Sequence, residues 1–181
     1  MAELIPCPER QRVAAALETH ADFPKPGIAF VDVFSLWRAP ELVEAAVAAM
    51  AAAVRERFAT ASVLAGLDSR GFLIGGLLAA RLGLRFVAIR KAGKLPGRVA
   101  AQTYDLEYGS ATVELQLSAV GGGDRVVLVD DLLATGGTLA AAAALVRGSP
   151  AQLLGAVVLI ELGALRGAAA VGAPVLTLLQ L

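Results

Sequence analysis

Apolar positions along this chain keep two alternating rhythms. Short continuous runs, of which V-V-L-V at 126–129 is the clearest, alternate with stretches where apolar residues return every three or four positions. A continuous run rich in β-branched residues predicts a strand buried on both faces, as in a parallel sheet, and the longer spacing predicts an amphipathic helix. Strands are expected at 62–66, 86–89, 125–130, 153–160 and 175–179, with a shorter one after the prolines of D-F-P-K-P-G-I. Helices are expected at 9–19, with Val13, Ala16 and Leu17 on one face, and from Pro40, with a stripe of Val43, Val47, Met50, Val54 and Phe58. A third starts at Gly71 and carries Leu73, Leu77, Leu78 and Leu82, and a fourth covers about 139–147. The order predicts an α/β fold: a five-stranded, mostly parallel sheet flanked by helices.

One stretch breaks the rhythm. Residues 94–116 hold Pro96 and Gly97, then two alternating runs around Gly109-Ser110. That pattern predicts a loop leading into a β-ribbon, and so long an excursion, charged and aromatic, predicts a mobile lid.

Length and charge narrow the picture. The 181 residues suit one domain, here 1–181, and 16 basic residues balance 16 acidic ones. That balance predicts no attraction to nucleic acid or anionic lipid. The longest apolar run, 45–54, is far short of the ~20 residues that span a bilayer. No basic segment precedes an apolar one near the N-terminus, and the single Cys7 forms no internal disulfide, so a reducing cytoplasm is expected.

The chemistry gathers where strands end. After 126–129 come Asp130 and Asp131, then A-T-G-G-T at 134–138 and a helix. Gly136 and Gly137 let backbone approach a ligand, Thr135 and Thr138 add hydroxyls, and the helix start adds free N–H groups and positive dipole charge. The turn is a phosphate cradle, so a side chain at Gly136 is expected to displace phosphate and spare the fold. Two acids beside an anion site need a different client, ribose hydroxyls or a divalent cation. Two other strand ends deliver Asp68, Ser69 and Arg70, and then Arg90 and Lys91. Ser69 and the three cations suit a second, more highly charged anion; Asp68 could orient Arg70 or cap the next helix.

The acidic pair with A-T-G-G-T resembles the phosphoribosyl diphosphate signature of the type I phosphoribosyltransferases. F-P-K-P-G-I at 23–28, A-G-L-D-S-R-G-F at 65–72, I-R-K-A-G-K-L-P-G at 89–97 and L-E-Y-G at 106–109 make the chain similar to the adenine phosphoribosyltransferase branch over nearly its full length. The resemblance implies a fold with an N-terminal hood, about 1–38, and conversion of adenine and 5-phosphoribosyl 1-diphosphate to AMP and pyrophosphate, with Mg2+, in a homodimer. It assigns ribose to Asp130 and Asp131, the 5′-phosphate to Ala134, Thr135, Gly136, Gly137 and Thr138, and pyrophosphate to Arg70, Arg90, Lys91 and Lys94. Adenine falls to Ala29, Val31 and Leu162, and closure over the reacting centre to Glu107 and Tyr108. Magnesium is expected on the substrate, with Asp130 or Asp131 as its protein contact. Val31 stands where similar enzymes commonly carry arginine, which suits a position that holds the base through its main chain.

The implied reaction is substitution at the ribose anomeric carbon through a cationic sugar, stabilised by Asp130 and Asp131, with Glu107 handling a purine proton. His20, the only histidine, is expected to be structural. Rivals are transfer to another nucleobase and a non-catalytic nucleotide sensor; no G-x-G-x-x-G follows the first strand, which disfavours a dinucleotide-binding dehydrogenase.

Overall fold

The computed structural model describes residues 1–105 and 109–181. Glu107 and Tyr108 therefore lie outside the described residues. In chain order the strands are β1 (Glu3–Leu4), β2 (Glu18–Ala21), β3 (Ala29–Asp32), β4 (Val63–Leu67), β5 (Arg85–Lys91), β6 (Val99–Asp105), β7 (Ser110–Gln116), β8 (Arg125–Leu133), β9 (Gln152–Glu161) and β10 (Val175–Gln180). The α-helices are α1 (Arg10–Ala15), α2 (Pro40–Arg57), α3 (Gly71–Leu82), α4 (Gly137–Arg147) and α5 (Ala168–Val171), with 3-10 turns at Val33–Arg38 and Gly163–Leu165.

All five expected strands are present as the parallel array β10-β9-β8-β4-β5. The sheet reaches further, to eight strands among the described residues. At one edge β1 adds in parallel to β10, and at the other β7 pairs antiparallel with β5 and carries β6. The ribbon is thus a continuation of the sheet, with Thr103 facing Thr112 across it and their hydroxyls 2.9 Å apart.

Side-chain alternation along each strand builds a core on each face of the sheet. On β8, Val127 and Val129 join Leu159 and Leu178 under α2 and α3, while Val126 and Leu128 join Val158 and Val175 under α4 and α5. Full burial of each such side chain contributes about 1.5–3 kcal/mol, so a one-residue slip of β8 would forfeit both cores at once. The α2 stripe packs as expected, with Val47, Met50, Val54 and Phe58 buried and Val43 at its margin. α3 starts at Gly71 and carries the expected leucines. Ile74, Leu78 and Ala79 face the sheet, whereas Leu73 and Leu77 stand exposed.

The N-terminal helix is shorter than expected. It stops at Ala15, and Glu18–Ala21 instead pairs antiparallel with Ala29–Asp32 as a separate two-stranded ribbon. Cross-strand pairing wins because the Glu18 amide donates to Ser35 Oγ, which in turn donates to the Asp32 carbonyl. Parallel order in the main sheet brings the carboxyl ends of β4, β5, β8 and β9 to one edge, where open α/β sheets hold ligands.

Candidate active site

β8 runs on past its apolar run, so Asp130 and Asp131 lie within the strand and not beyond it. Neighbouring strand residues point to opposite sides, and the two acids have different surroundings. Asp131 is buried, and its Oδ2 lies 2.6 Å from Nε of Arg70, a close charge contact without hydrogen-bond alignment. Asp130 is half-buried, and its Oδ1 accepts the Asp131 amide at 2.9 Å. It also abuts the start of α3, where a Cβ on Gly71 would come within 2.9 Å of that oxygen. Only glycine lets α3 pack so close to the acid. Burial, then the neighbouring Asp131 charge, push the Asp130 carboxyl well above the usual carboxylate range.

Both site arginines are held by an acid and an aromatic ring. Arg70 lies over Phe30 of the hood, 5.6 Å from the ring centre, as well as against Asp131. Arg90 Nε donates to Asp68 Oδ2 at 3.0 Å, and its guanidinium lies 5.8 Å from the Phe72 ring centre. Asp68 therefore orients Arg90, not Arg70. Arg90 also donates to the Lys94 carbonyl at 3.2 Å, tying down the start of the excursion. Planar guanidinium stacked on a ring keeps donors free along its edge, ready for an anion.

The 134–138 turn forms a cup of about 100 Å3 lined by Asp130 and residues 132–139. It opens beside a cavity of about 610 Å3 lined by Asp68, Ser69, Arg70, Lys91, Asp130 and Asp131, among others. Asp130, Leu132 and Thr138 belong to both. The cup itself corrects one expectation. Gly136 has φ +86°, and a Cβ there would meet the Gly167 carbonyl oxygen at 2.2 Å, not open cup space. Gly136 is required for packing against the chain at 167 as well as for the turn, so a side chain there cannot spare the fold.

The expected site residues converge unequally. Ser69, Arg70, Lys91, Asp130, Asp131 and Thr138 line the main cavity, and Ala134, Thr135, Gly136 and Gly137 line the cup. Arg90 and Lys94 approach through their mutual bond. Ala29 is exposed on β3, Val31 turns its side chain into the core, and Leu162 packs against the same core after donating its amide to the Leu133 carbonyl. With its side chain buried, Val31 could meet a ligand only through main-chain atoms. His20 lies on β2 beside Glu18, away from the cavity.

Sequence reading missed Phe30, Phe34 and Tyr104. Phe34 and Tyr104 line the cavity, and Tyr104 Oη lies 2.9 Å from Thr138 Oγ1. For Tyr104 the available signal was an aromatic on a strand, β6, whose neighbours are mostly small or polar.

A divalent cation fits this donor set. Among the described residues Asp68 and Asp131 are each spent on an arginine, while Asp130 keeps Oδ2 outside any ion pair. One carboxylate oxygen suits Mg2+, which keeps water and takes its remaining ligands from substrate phosphates.

The raised Asp130 carboxyl also predicts a stability effect. The native state holds this proton more tightly than the unfolded chain, so ionisation costs native stability as pH rises through the native pKa. Below pH ~4 both states are protonated and the cost vanishes. Asp130→Asn keeps the oxygen that accepts the Asp131 amide. It should melt above wild type at pH 8, with the gap closing toward pH 4 in a series of thermal melts. A gap independent of pH would refute the assignment.

The comparisons agree with this geometry. The phosphoribosyl transferase domain profile matches residues 38–171. The adenine phosphoribosyltransferase of Streptomyces galbus is 45% identical over 185 residues, spanning 99% of this chain and 100% of its own. That of Rhodospirillum rubrum is 51% identical over 146 residues, 81% of this chain and 84% of its own. The solved adenine phosphoribosyltransferase from Saccharomyces cerevisiae, complexed with D-2,5-dideoxy-2,5-imino-altritol 1,6-bisphosphate and adenine, superposes with a TM-score of 0.90 at 42% identity. It covers 93% of this chain and 97% of that one. With cup, caged arginines and paired acids at one sheet edge, and likeness running end to end, the chain belongs to the phosphoribosyltransferase family, among the adenine phosphoribosyltransferases.

Proposed function

We propose that this protein converts adenine and 5-phosphoribosyl 1-diphosphate to AMP and pyrophosphate, a purine salvage reaction. The observation that carries the reading is the phosphate-sized cup opening into a larger cavity walled by Arg70 and Lys91, in a chain alike throughout to adenine phosphoribosyltransferases. The 5′-phosphate occupies the cup, where Thr135, Thr138 and the amides at the start of α4 meet it. Ribose hydroxyls face Asp130 and Asp131. The diphosphate meets the free donor edges of Arg70 and Arg90, which stay on their acids, with Ser69, Lys91 and Lys94 adding contacts. Adenine lies under the hood, near Ala29, Val31 and Leu162.

Adenine N9 forms a bond to the anomeric carbon as the bond to pyrophosphate breaks, and the purine gives up a proton. Positive charge on the sugar is met by Asp130 and Asp131, which are already fixed and need no reorganisation. Glu107 exchanges the purine proton, and Tyr108 closes over the centre. Asp130 is the residue that would hold Mg2+, and the chemistry a bound magnesium supplies there is neutralisation of the departing pyrophosphate.

The working assembly is a homodimer in the cytoplasm. The setting is supported by a lone, unpaired Cys7 and by the absence, among the described residues, of a helix long and apolar enough to cross a membrane. The test is parallel product formation from 5-phosphoribosyl 1-diphosphate with adenine, hypoxanthine, guanine and orotate. AMP formation should exceed the other products by at least about tenfold, since the cavity's base side offers apolar Phe34 and Leu132 and any 6-oxo base would need an added donor. Equal or greater turnover with hypoxanthine, guanine or orotate would refute the proposal.

A further inference from the structure

Tyr104 joins the ribbon to the phosphate cup. Its ring packs against the apolar cluster under α4, which leaves the hydroxyl little freedom, and Oη lies 2.9 Å from Thr138 Oγ1. Thr138 is the second residue of α4 and lines both the cavity and the cup. Between two hydroxyls the proton can point either way. A phosphate dianion in the cup removes that freedom, because its oxygens accept and do not donate. Thr138 then turns its proton to the phosphate, and its lone pair becomes available to the Tyr104 proton. The result is a one-way chain, Tyr104 O–H to Thr138 O–H to phosphate, in which each bond polarises the next.

We infer that Tyr104 is a positioning residue for 5′-phosphate recognition, acting through Thr138 from outside the cup lining. This rests on the reading of the cup as the 5′-phosphate site. It ties the affinity of the cup to the seating of β6 on α4, so β6 contributes to ground-state binding.

A double-mutant cycle tests it, with AMP and pyrophosphate as separate calorimetric probes. Tyr104→Phe keeps the ring and removes only the hydroxyl. It should weaken AMP about threefold to tenfold, the size of one neutral hydrogen bond, and leave pyrophosphate affinity unchanged. In a Thr138→Ala background the same change should cost nothing further, and in Thr138→Ser, which keeps the hydroxyl, the full loss should return. An equal loss in the Thr138→Ala background, an equal loss for pyrophosphate, or no loss of AMP affinity would overturn the inference alone. If Thr138→Ala itself left AMP affinity at the wild-type value, the 5′-phosphate reading of the cup would fall first. Thermal melts of each variant confirm that the chains compared are folded.

Discussion

Replacing Glu107 with glutamine should lower turnover by about 10²–10⁴-fold while leaving affinity for 5-phosphoribosyl 1-diphosphate nearly unchanged. The size is that of a lost general acid–base contribution, since glutamine keeps the shape and some hydrogen bonding but cannot exchange a proton at neutral pH. The surroundings make a substitute hard to find. The chain's one histidine, His20, is placed on β2 against Glu18, and Asp68 and Asp131 are each occupied by an arginine. Asp130 is left, but it sits beside the cup, where the ribose and its phosphate bind. Glu107 comes from the chain between β6 and β7, and these strands supply Tyr104, Ala111 and Val113 to the cavity wall. Single-turnover kinetics with adenine, paired with equilibrium binding of the diphosphate substrate, separates the chemical step from binding. A variant within about twofold of wild type would show that the glutamate carries no required proton, because twofold is only ~0.4 kcal/mol of barrier.

What could be read from the chain beforehand follows the strength of local patterns. β8, its turn and α4 were legible because a continuous apolar run, two acids and a Gly-Gly turn succeed one another without ambiguity. The same holds for the ribbon, whose alternation around Gly109-Ser110 survives in the register of Tyr104 with Ala111 and Thr103 with Thr112. Failures occur where tertiary pairing outweighs local preference. β1 is two residues long and exists only because β10 offers an open edge. β2 took over the end of an expected helix because β3 lay opposite it. Of the leucines expected on α3, Leu78 is buried while Leu73 and Leu77 are exposed, and a helix this apolar on every side carries no internal mark of which stripe is buried.

Site residues divide in the same way. The acids, Arg70, Arg90, Lys91 and the cup stand at the ends of predicted strands, so the α/β arrangement alone brings them together. Phe30 and Tyr104 act through partners distant in sequence, Arg70 and Thr138, and such couplings have no short-range signature. Gly167 is the sharpest case. Nothing in G-A-L-R-G at 163–167 marks its last residue as part of a phosphate site, yet its backbone closes the underside of the cup.

Gly167→Ala should therefore damage the cup from outside its own sequence, and Gly136→Val from within. A Cβ on Gly167 would stand 2.1 Å from the Ala134 carbonyl oxygen and 2.9 Å from the Gly136 nitrogen, both backbone atoms that no side-chain rotation can clear. A Cβ on Gly136 would meet Gly167 carbonyl oxygen at 2.2 Å, with a left-handed φ of +86° that a β-branched residue resists. Overpacking costs about 1–3 kcal/mol and the left-handed backbone another ~1–2, so Gly136→Val should lose about 2–5 kcal/mol. For a chain of this length that lowers the melting temperature by about 4–20 °C. Gly167→Ala should lose about 1–3 kcal/mol by overpacking alone. Relief in either variant must come from moving the 134–136 backbone away from 167, which also moves the amides that meet phosphate. AMP affinity should thus fall at least about tenfold in Gly167→Ala under conditions where the variant is folded, while pyrophosphate, held by the arginines, should bind much as before. Calorimetry with both ligands beside a thermal melt decides the matter. A Gly167→Ala protein that melts within a degree of wild type and binds AMP equally well would mean that the two glycine backbones do not share the contact on which the cup depends.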